Sequence, residues 1–217
     1  QVENKLYKIH HHFLSKHSSV FRDMFALPVS LTSSGESEGD SDEHPICLSG
    51  VTALEFESLM KVFYHRCNPG FQLSQAEWIA VLSIAHRFEL HSIYQRATQN
   101  LLSAASDAEV VPLLAAAERY DISFSNIPNV LRAIVRRAEE LTSQEFDMMS
   151  GSLASKVATA RERWVRGWHG AKCQDCGSDC KVLTLRCVQC RTTILPPGEF
   201  QDDERLQIIL KDVWGIE

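Results

Sequence analysis

Apolar and polar positions divide the chain into two short alternating runs and a series of longer stripes at helical spacing. Leu6 to Ile9 alternates as a strand does, and Phe13, Leu14, Phe21, Met24 and Phe25 then follow helical spacing. The pattern predicts a strand feeding a helix buried on one face. Pro45-Ile46-Cys47-Leu48 reads as a short buried strand. Thr52 with Glu55 forms a capping box, in which each residue's side chain satisfies the other's backbone N–H, ahead of the stripe Phe56, Leu59, Met60 and Phe63. A turn signal follows at Asn68-Pro69-Gly70. A second box, Ser74 with Glu77, precedes Trp78, Val81, Leu82, Ala85 and Phe88, and a further helix carries Ile93, Ala97 and Leu101.

The second half continues in the same style. Ser106 with Glu109 makes a third box before Val110, Leu113, Leu114 and Ala117, and Pro128 opens a helix with Val130, Ile134, Ala138 and Leu141. Thr142 with Glu145 is a fourth box, leading through Gly151 to a basic helix with Trp164 and Trp168. Leu195-Pro196-Pro197-Gly198 breaks the chain, and Leu206, Ile209, Leu210 and Val213 define a last amphipathic helix ending near Trp214. No internal repeat is present.

Two stretches share a family resemblance. His10, Phe13, Leu14, Ser18, Phe21, Met24 and Phe25 stand at the offsets of a signature that resembles BTB/POZ domains. The run Pro45 to Tyr64, PICLSGVTALEFESLMKVFY, is similar to the BTB domains of mushroom-forming fungi, and the resemblance extends to about Ala104. It implies an α+β fold, mostly α, with a short sheet flanked by helices, followed by a helical extension that is usual in the family. The expected domains are 1–104, BTB/POZ; 105–150, helical extension; and 151–217, a basic helix, a Cys-rich zinc-binding hairpin and a C-terminal helix. Protein–protein interaction is the implied function, with self-association and adaptor duty for a cullin-type ubiquitin ligase or a transcriptional complex. Because the chain opens at Gln1 inside what reads as the first hairpin, its opening strand is expected to be missing. Dimers of this fold commonly recruit N-terminal segments, so a weak homodimer or a monomer is expected.

Composition narrows the class. Hydrophobic content of 44% with 23% charge is ordinary for a globular protein and excludes disorder throughout. No apolar run approaches the roughly 20 residues that span a bilayer, and the N-terminus carries neither a basic leader nor an apolar signal core. The reading is an intracellular protein, cytoplasmic or nuclear or both, without a membrane partner. Ser30 to His44 holds five acids and no Lys or Arg among Ser and Gly, the composition of a mobile acidic loop. A solvated insertion is the plain reading of that loop, and a phosphorylation or docking site the functional one.

Charge and cysteine are both concentrated near the C-terminus. Net charge is −6, yet the segment Arg161 to Arg191 is +4. Seven Cys are present and five lie between Cys173 and Cys190, which in an intracellular chain points to metal before disulfide. Cys173-x-x-Cys176 and Cys187-x-x-Cys190 resemble a zinc ribbon: two hooks converge four thiolates on one structural zinc ion when Lys181 to Leu185 folds back as a strand of the hairpin, and Gly177 lets the first knuckle turn. Cys180 is a fifth thiol that could replace one ligand. A redox pair or unliganded cysteines are the competing readings. Cys47 and Cys67 are read as small core residues.

Other candidate chemistry falls away. His10, His11, His12 and His17 include no i, i+4 pair, the spacing that would aim two ligands from one helix face, so His10 is read as a packing or hydrogen-bonding residue. Gly-x-Ser-x-Gly, a phosphate-binding Gly loop and His-Glu-x-x-His are all absent, and the expectation is a non-enzymatic protein without a small-molecule substrate. The alternative is a nucleic-acid-binding regulator using the Arg161 to Arg191 segment with Trp164 and Trp168 as stacking residues. Trp residues at such positions are more often core, and +4 is modest, so the balance is against nucleic acid.

Overall fold

A computed structural model describes residues 1–27, 38–39, 41–64, 71–103, 110–166, 175–176, 189–190 and 202–216. The chain divides into two compact units, Gln1–Ala104 and Ala105–Glu217.

Three consecutive helices make the centre of the first unit: α3 (Ala53–Tyr64), α4 (Gln75–Arg87) and α5 (His91–Ser103), with α4 packed on both of the others; α1 (His11–His17) and α2 (Ser19–Ala26) precede them. The apolar stripes set this arrangement. Leu59 and Val62 of α3, Val81, Leu82 and Ile84 of α4, and Ala97 and Leu101 of α5 are almost wholly removed from water. Both predicted capping boxes form. Thr52 Oγ1 accepts from the Glu55 N–H at 3.2 Å while the Thr52 N–H donates to Glu55 Oε2 at 2.7 Å, and Ser74 and Glu77 repeat the exchange. The other Glu55 oxygen accepts from the Ser83 hydroxyl at 2.5 Å, so this cap also ties α3 to α4.

The α4–α5 corner turns on Glu89, held at φ +52°. The Leu90 N–H donates to the Ala85 carbonyl at 2.8 Å and Leu90 is fully buried, the arrangement that closes a helix with a left-handed residue and an apolar seal. Glycine is the usual occupant of such a position. Here an acid takes it, and Glu89 Oε2 accepts from the Ser19 hydroxyl at 2.7 Å.

Several expectations for this unit are corrected. The stripe from Phe13 to Phe25 forms two helices that break at Ser18, whose extended backbone (φ −129°, ψ 127°) caps α2. Its hydroxyl accepts from the Phe21 N–H at 3.0 Å and donates to the Phe88 carbonyl at 2.6 Å. The short sheet does not form a ladder among the described residues. Val2 and Lys5 make one antiparallel bridge, Leu6 to Ile9 has no strand partner among the described residues, and the 45–48 segment bonds to Gln1 through the Ile46 carbonyl and the Leu48 N–H. Cys47 is exposed rather than core, its thiol lying 3.6 Å from the Pro45 carbonyl. The Cys67 and Asn68-Pro69-Gly70 readings, and the acidic loop apart from 38–39 and 41–44, lie outside the described residues.

The second unit contains α6 (Val110–Arg119), a 3₁₀ turn (Phe124–Asn126), α7 (Pro128–Arg136), α8 (Ser143–Met148), α9 (Gly151–Arg166) and α10 (Asp202–Trp214). α7 packs on α6 and α9, α8 on α6, and α10 on α9. Leu113, Leu114, Leu131, Ile134, Leu153, Val157, Leu206 and Leu210 form its core. α6 ends as α4 does: Asp121 is at φ +56° and the Ile122 N–H donates to the Ala117 carbonyl at 2.9 Å. The Ser106–Glu109 box lies outside the described residues, while Thr142 and Glu145 form theirs. The predicted run to Leu141 is shortened, since α7 stops at Arg136. Arg161 of α9 donates to the carbonyls of Ile134 and Glu139, both at 2.8 Å, and Arg137 donates to Glu145 at 2.5 Å. A guanidinium thus terminates α7 by taking a carbonyl that a further turn would have used.

Phe56 is 3% exposed, with its ring 4.9 Å from that of Tyr7. Phe56→Ala should lower unfolding free energy by about 3 to 5 kcal/mol in urea titration, and an unchanged midpoint would place the residue outside the core. Glu77 generates a pH prediction. The Lys61 ammonium at 2.5 Å and the Ser74 N–H at 2.8 Å hold its carboxyl at about 2 against the opposing effect of burial. The folded value lies below the unfolded one of about 4.3, so this contribution is complete above the unfolded pKa and is lost as pH falls through the folded value. Glu77→Gln should therefore show a shallower loss of stability than the parent as pH falls from about 4.3 toward the folded pKa; superimposable acid-unfolding profiles would contradict the coupling.

Candidate interaction surface

The first unit carries a partly apolar cleft beside its opening segment. The Gln1 ammonium donates to the Ile46 carbonyl at 2.5 Å and the Leu48 N–H donates to the Gln1 carbonyl at 2.9 Å. Val2 and Lys5 exchange two hydrogen bonds of 3.0 Å on the other side. A cleft of about 820 Å³ beside them has a lining that includes Leu14, Phe21, Met24, Phe25, Ile46 and Phe56. Lys8 and Asp42 pair across its mouth at 3.3 Å, both well exposed.

Polar contacts with α3 hold one wall. Lys5 Nζ and Tyr7 Oη each lie 2.8 Å from Glu57 Oε1. The His10 N–H donates to Tyr64 Oη at 3.1 Å, and that phenol lies 2.9 Å from His10 Nδ1. His10 therefore joins the start of α1 to the end of α3, the hydrogen-bonding role expected of it. His17 Nδ1 lies 3.0 Å from Ser92 Oγ, and its ring stacks on Phe63 at 5.6 Å. Leu6 and Tyr64 remain 53% and 44% exposed beside this wall, an apolar surplus that folding has not used.

These features decide what the first unit is, together with a comparison against protein families that matches residues 1–105. A BTB/POZ domain occupies that span. No curated protein matches the chain. The BTB/POZ domain makes the unit a protein–protein interaction module, and domains of this kind also self-associate. Its signature residues are structural in this chain: Ser18 and Phe21 are buried and His10 clamps two helices. Glu57, Tyr7 and Tyr64 were not singled out by sequence reasoning. Their partners lie about fifty positions away, and no local pattern signals them.

Other candidate residues are placed as follows. Cys176 and Cys190 are exposed and lie in turns, within the described residues 175–176 and 189–190. Cys173, Cys180 and Cys187 lie outside the described residues, as does the expected strand 181–185. Among the described residues no three His, Cys, Asp or Glu side chains are grouped to hold a metal, and no described helix is long and apolar enough to cross a membrane.

The basic segment is partly committed to folding. Arg161 is bonded to two backbone carbonyls, Arg163 lies 3.2 Å from Asp212, and Trp164 is 2% exposed with the guanidiniums of Arg136 and Arg205 over its ring at 5.6 and 5.9 Å. Trp164 is thus a core residue and is not available to stack on a base. Trp168 lies outside the described residues.

Proposed function

We propose that this chain is a non-enzymatic adaptor of the fungal BTB/POZ type, which binds other proteins through residues 1–105 and serves a cullin-type ubiquitin ligase or a transcriptional complex within the cytoplasm or nucleus. The observation that carries the reading is the BTB/POZ match over a unit with its own core and an open apolar cleft. The domain organisation proposed with it is the BTB/POZ domain over 1–104, a helical extension over 105–150 and a basic, Cys-rich module over 151–217. Self-association of this chain is weak in the proposal. The competing reading, nucleic-acid binding by Arg161 to Arg191, is disfavoured by the engagement of Arg161, Arg163 and Trp164 within the second unit.

Capture from native extract tests the reading. Proteins retained by the full chain should also be retained by a variant with Ser at positions 173, 176, 180, 187 and 190. Partners that follow the cysteines instead, or salt-sensitive and sequence-selective retardation of duplex DNA, would favour the competing reading.

The second part of the proposal is one structural zinc ion on Cys173, Cys176, Cys187 and Cys190. The donor set supports it: four thiolates in two Cys-x-x-Cys hooks satisfy tetrahedral zinc and leave no position for a reactive water. The exposure of Cys176 and Cys190, each at a turn, is compatible with it. Metal binding would organise a segment too short to build its own core. Elemental analysis should find one zinc per chain. Ser substitution at each of the four positions should lower it while Cys180→Ser leaves it intact, and metal loss on Cys180→Ser with retention on Cys176→Ser would reassign the ligands.

A further inference from the structure

The second unit gathers positive charge on one helix. From Pro128 to Ala138 the chain has three Arg, at 132, 136 and 137, and no Asp or Glu, in a protein whose net charge is −6. These residues share a surface. Asn129, Arg132, Ala133, Arg136, Arg137 and Ala138 line a groove of about 660 Å³, with Glu139 beside them past the helix end. Asn129 and Arg136 are exposed, and Arg132, Ala133 and Arg137 are half-buried.

Folding accounts for part of this charge. Arg136 stands over the Trp164 ring and lies in the last turn of α7, where a cation suits the helix dipole, and Arg137 pairs with Glu145 and Glu139. Arg132 sits one turn earlier, away from that favourable end. Among the described residues it pairs with no carboxylate, and its guanidinium donates to Asn129 Oδ1 at 3.1 Å. A neutral amide occupies one of its five N–H donors and leaves its charge unbalanced. Arg161 adds a fourth guanidinium near the end of α7, bonded to the Ile134 and Glu139 carbonyls. Burial first and Arg137 next lower its pKa, against the opposing pull of Glu139, Glu145 and Glu140. Like charges are therefore crowded at this surface, and an anion brought to it relieves their repulsion.

We propose that the groove along α7 binds an acidic segment of a partner protein, with Arg132 as the guanidinium that takes a carboxylate. The planar fork of Arg matches the two carboxylate oxygens, and Ala133 and Ala138 put no long side chain in the way of an approaching main chain. Length favours a peptide over a single small anion. From Asn129 to Arg137 the chain rises about 12 Å at helical pitch, the reach of roughly four extended residues. The surface lies outside the residues matched to the BTB/POZ family, so it is a second binding site that stands independently of the first.

The test titrates the full chain into a fluorescently labelled heptapeptide with Glu at alternate positions and Ser between them, read by anisotropy. Saturable binding is expected, with none for a peptide carrying Lys in place of Glu. Arg132→Glu should weaken binding about tenfold or more, since a charge-assisted contact is replaced by a like-charge clash. Asn129→Asp keeps the side-chain shape and gives Arg132 a carboxylate of its own, so it should also weaken binding while leaving the thermal unfolding midpoint near that of the parent. Arg119→Glu makes the same charge change at an exposed position outside the groove and should alter affinity by less than about twofold. Absent saturable binding, equal weakening by Arg119→Glu and Arg132→Glu, or full affinity in Asn129→Asp would each overturn the proposal. Displacement by inorganic phosphate as effective as by unlabelled peptide would make this a small-anion site, and displacement by duplex DNA at lower concentration than by peptide would give it to nucleic acid; either result overturns the proposal. So would self-association that Arg132→Glu abolishes, which would assign the groove to a second copy.

Discussion

A single buried hydroxyl decides how the BTB/POZ unit is assembled around its helical centre. Ser18 is wholly inaccessible to water, and its Oγ both accepts from the Phe21 N–H and donates to the Phe88 carbonyl. Loss of that oxygen would strand a donor and an acceptor in a region that water does not reach, a larger cost than the net value of either bond. The same atom ends α1, starts α2 and welds both to the corner between α4 and α5. Phe21 is thereby laid on Phe88 with ring centroids 4.6 Å apart, and Ser19 reaches Glu89 one residue further along. One side of the cleft depends on this docking, because α1 and α2 supply Leu14, Phe21, Met24 and Phe25 to its lining.

The capping boxes show a second way in which local chemistry is extended into tertiary structure. In each of the three that the structure describes, one carboxylate oxygen serves the cap and the other makes a contact elsewhere: Glu55 with Ser83, Glu77 with Lys61, and Glu145 with Arg137. All three carboxyls are held below their ordinary pKa. Burial opposes the shift in Glu55 and Glu145, and the surrounding donors outweigh it. One ionised group thus terminates a helix and fixes its neighbour, so the start of each helix is coupled to packing beyond it.

Polar groups are used differently in the two units. In the second, Arg161 and Arg163 serve backbone carbonyls and Asp212, and two guanidiniums cover Trp164. Arg161 and Arg163, which count toward a basic patch when only charge is considered, act as internal scaffolding once their partners are assigned. In the first unit the polar side chains instead fasten the opening segment to α3, Lys5 and Tyr7 through Glu57 and His10 through Tyr64.

The amino-acid order alone determined the helical stripes, the boxes at Thr52, Ser74 and Thr142, and the resemblance that the family match over residues 1–105 supports. These signals are legible because their partners lie three or four positions apart. Tertiary structure decided the rest. The helix break at Ser18 depends on a carbonyl seventy positions away, and the end of α7 on an arginine twenty-seven positions from the carbonyl it takes. The helix terminators at Glu89 and Asp121 carry no glycine to announce them, since packing of Leu90 and Ile122 enforces a conformation their own chemistry does not favour. Leu6 to Ile9 illustrates the limit most directly. Alternation gives a segment the capacity to be a strand, but a ladder exists only when another backbone lies alongside, and composition cannot supply that neighbour.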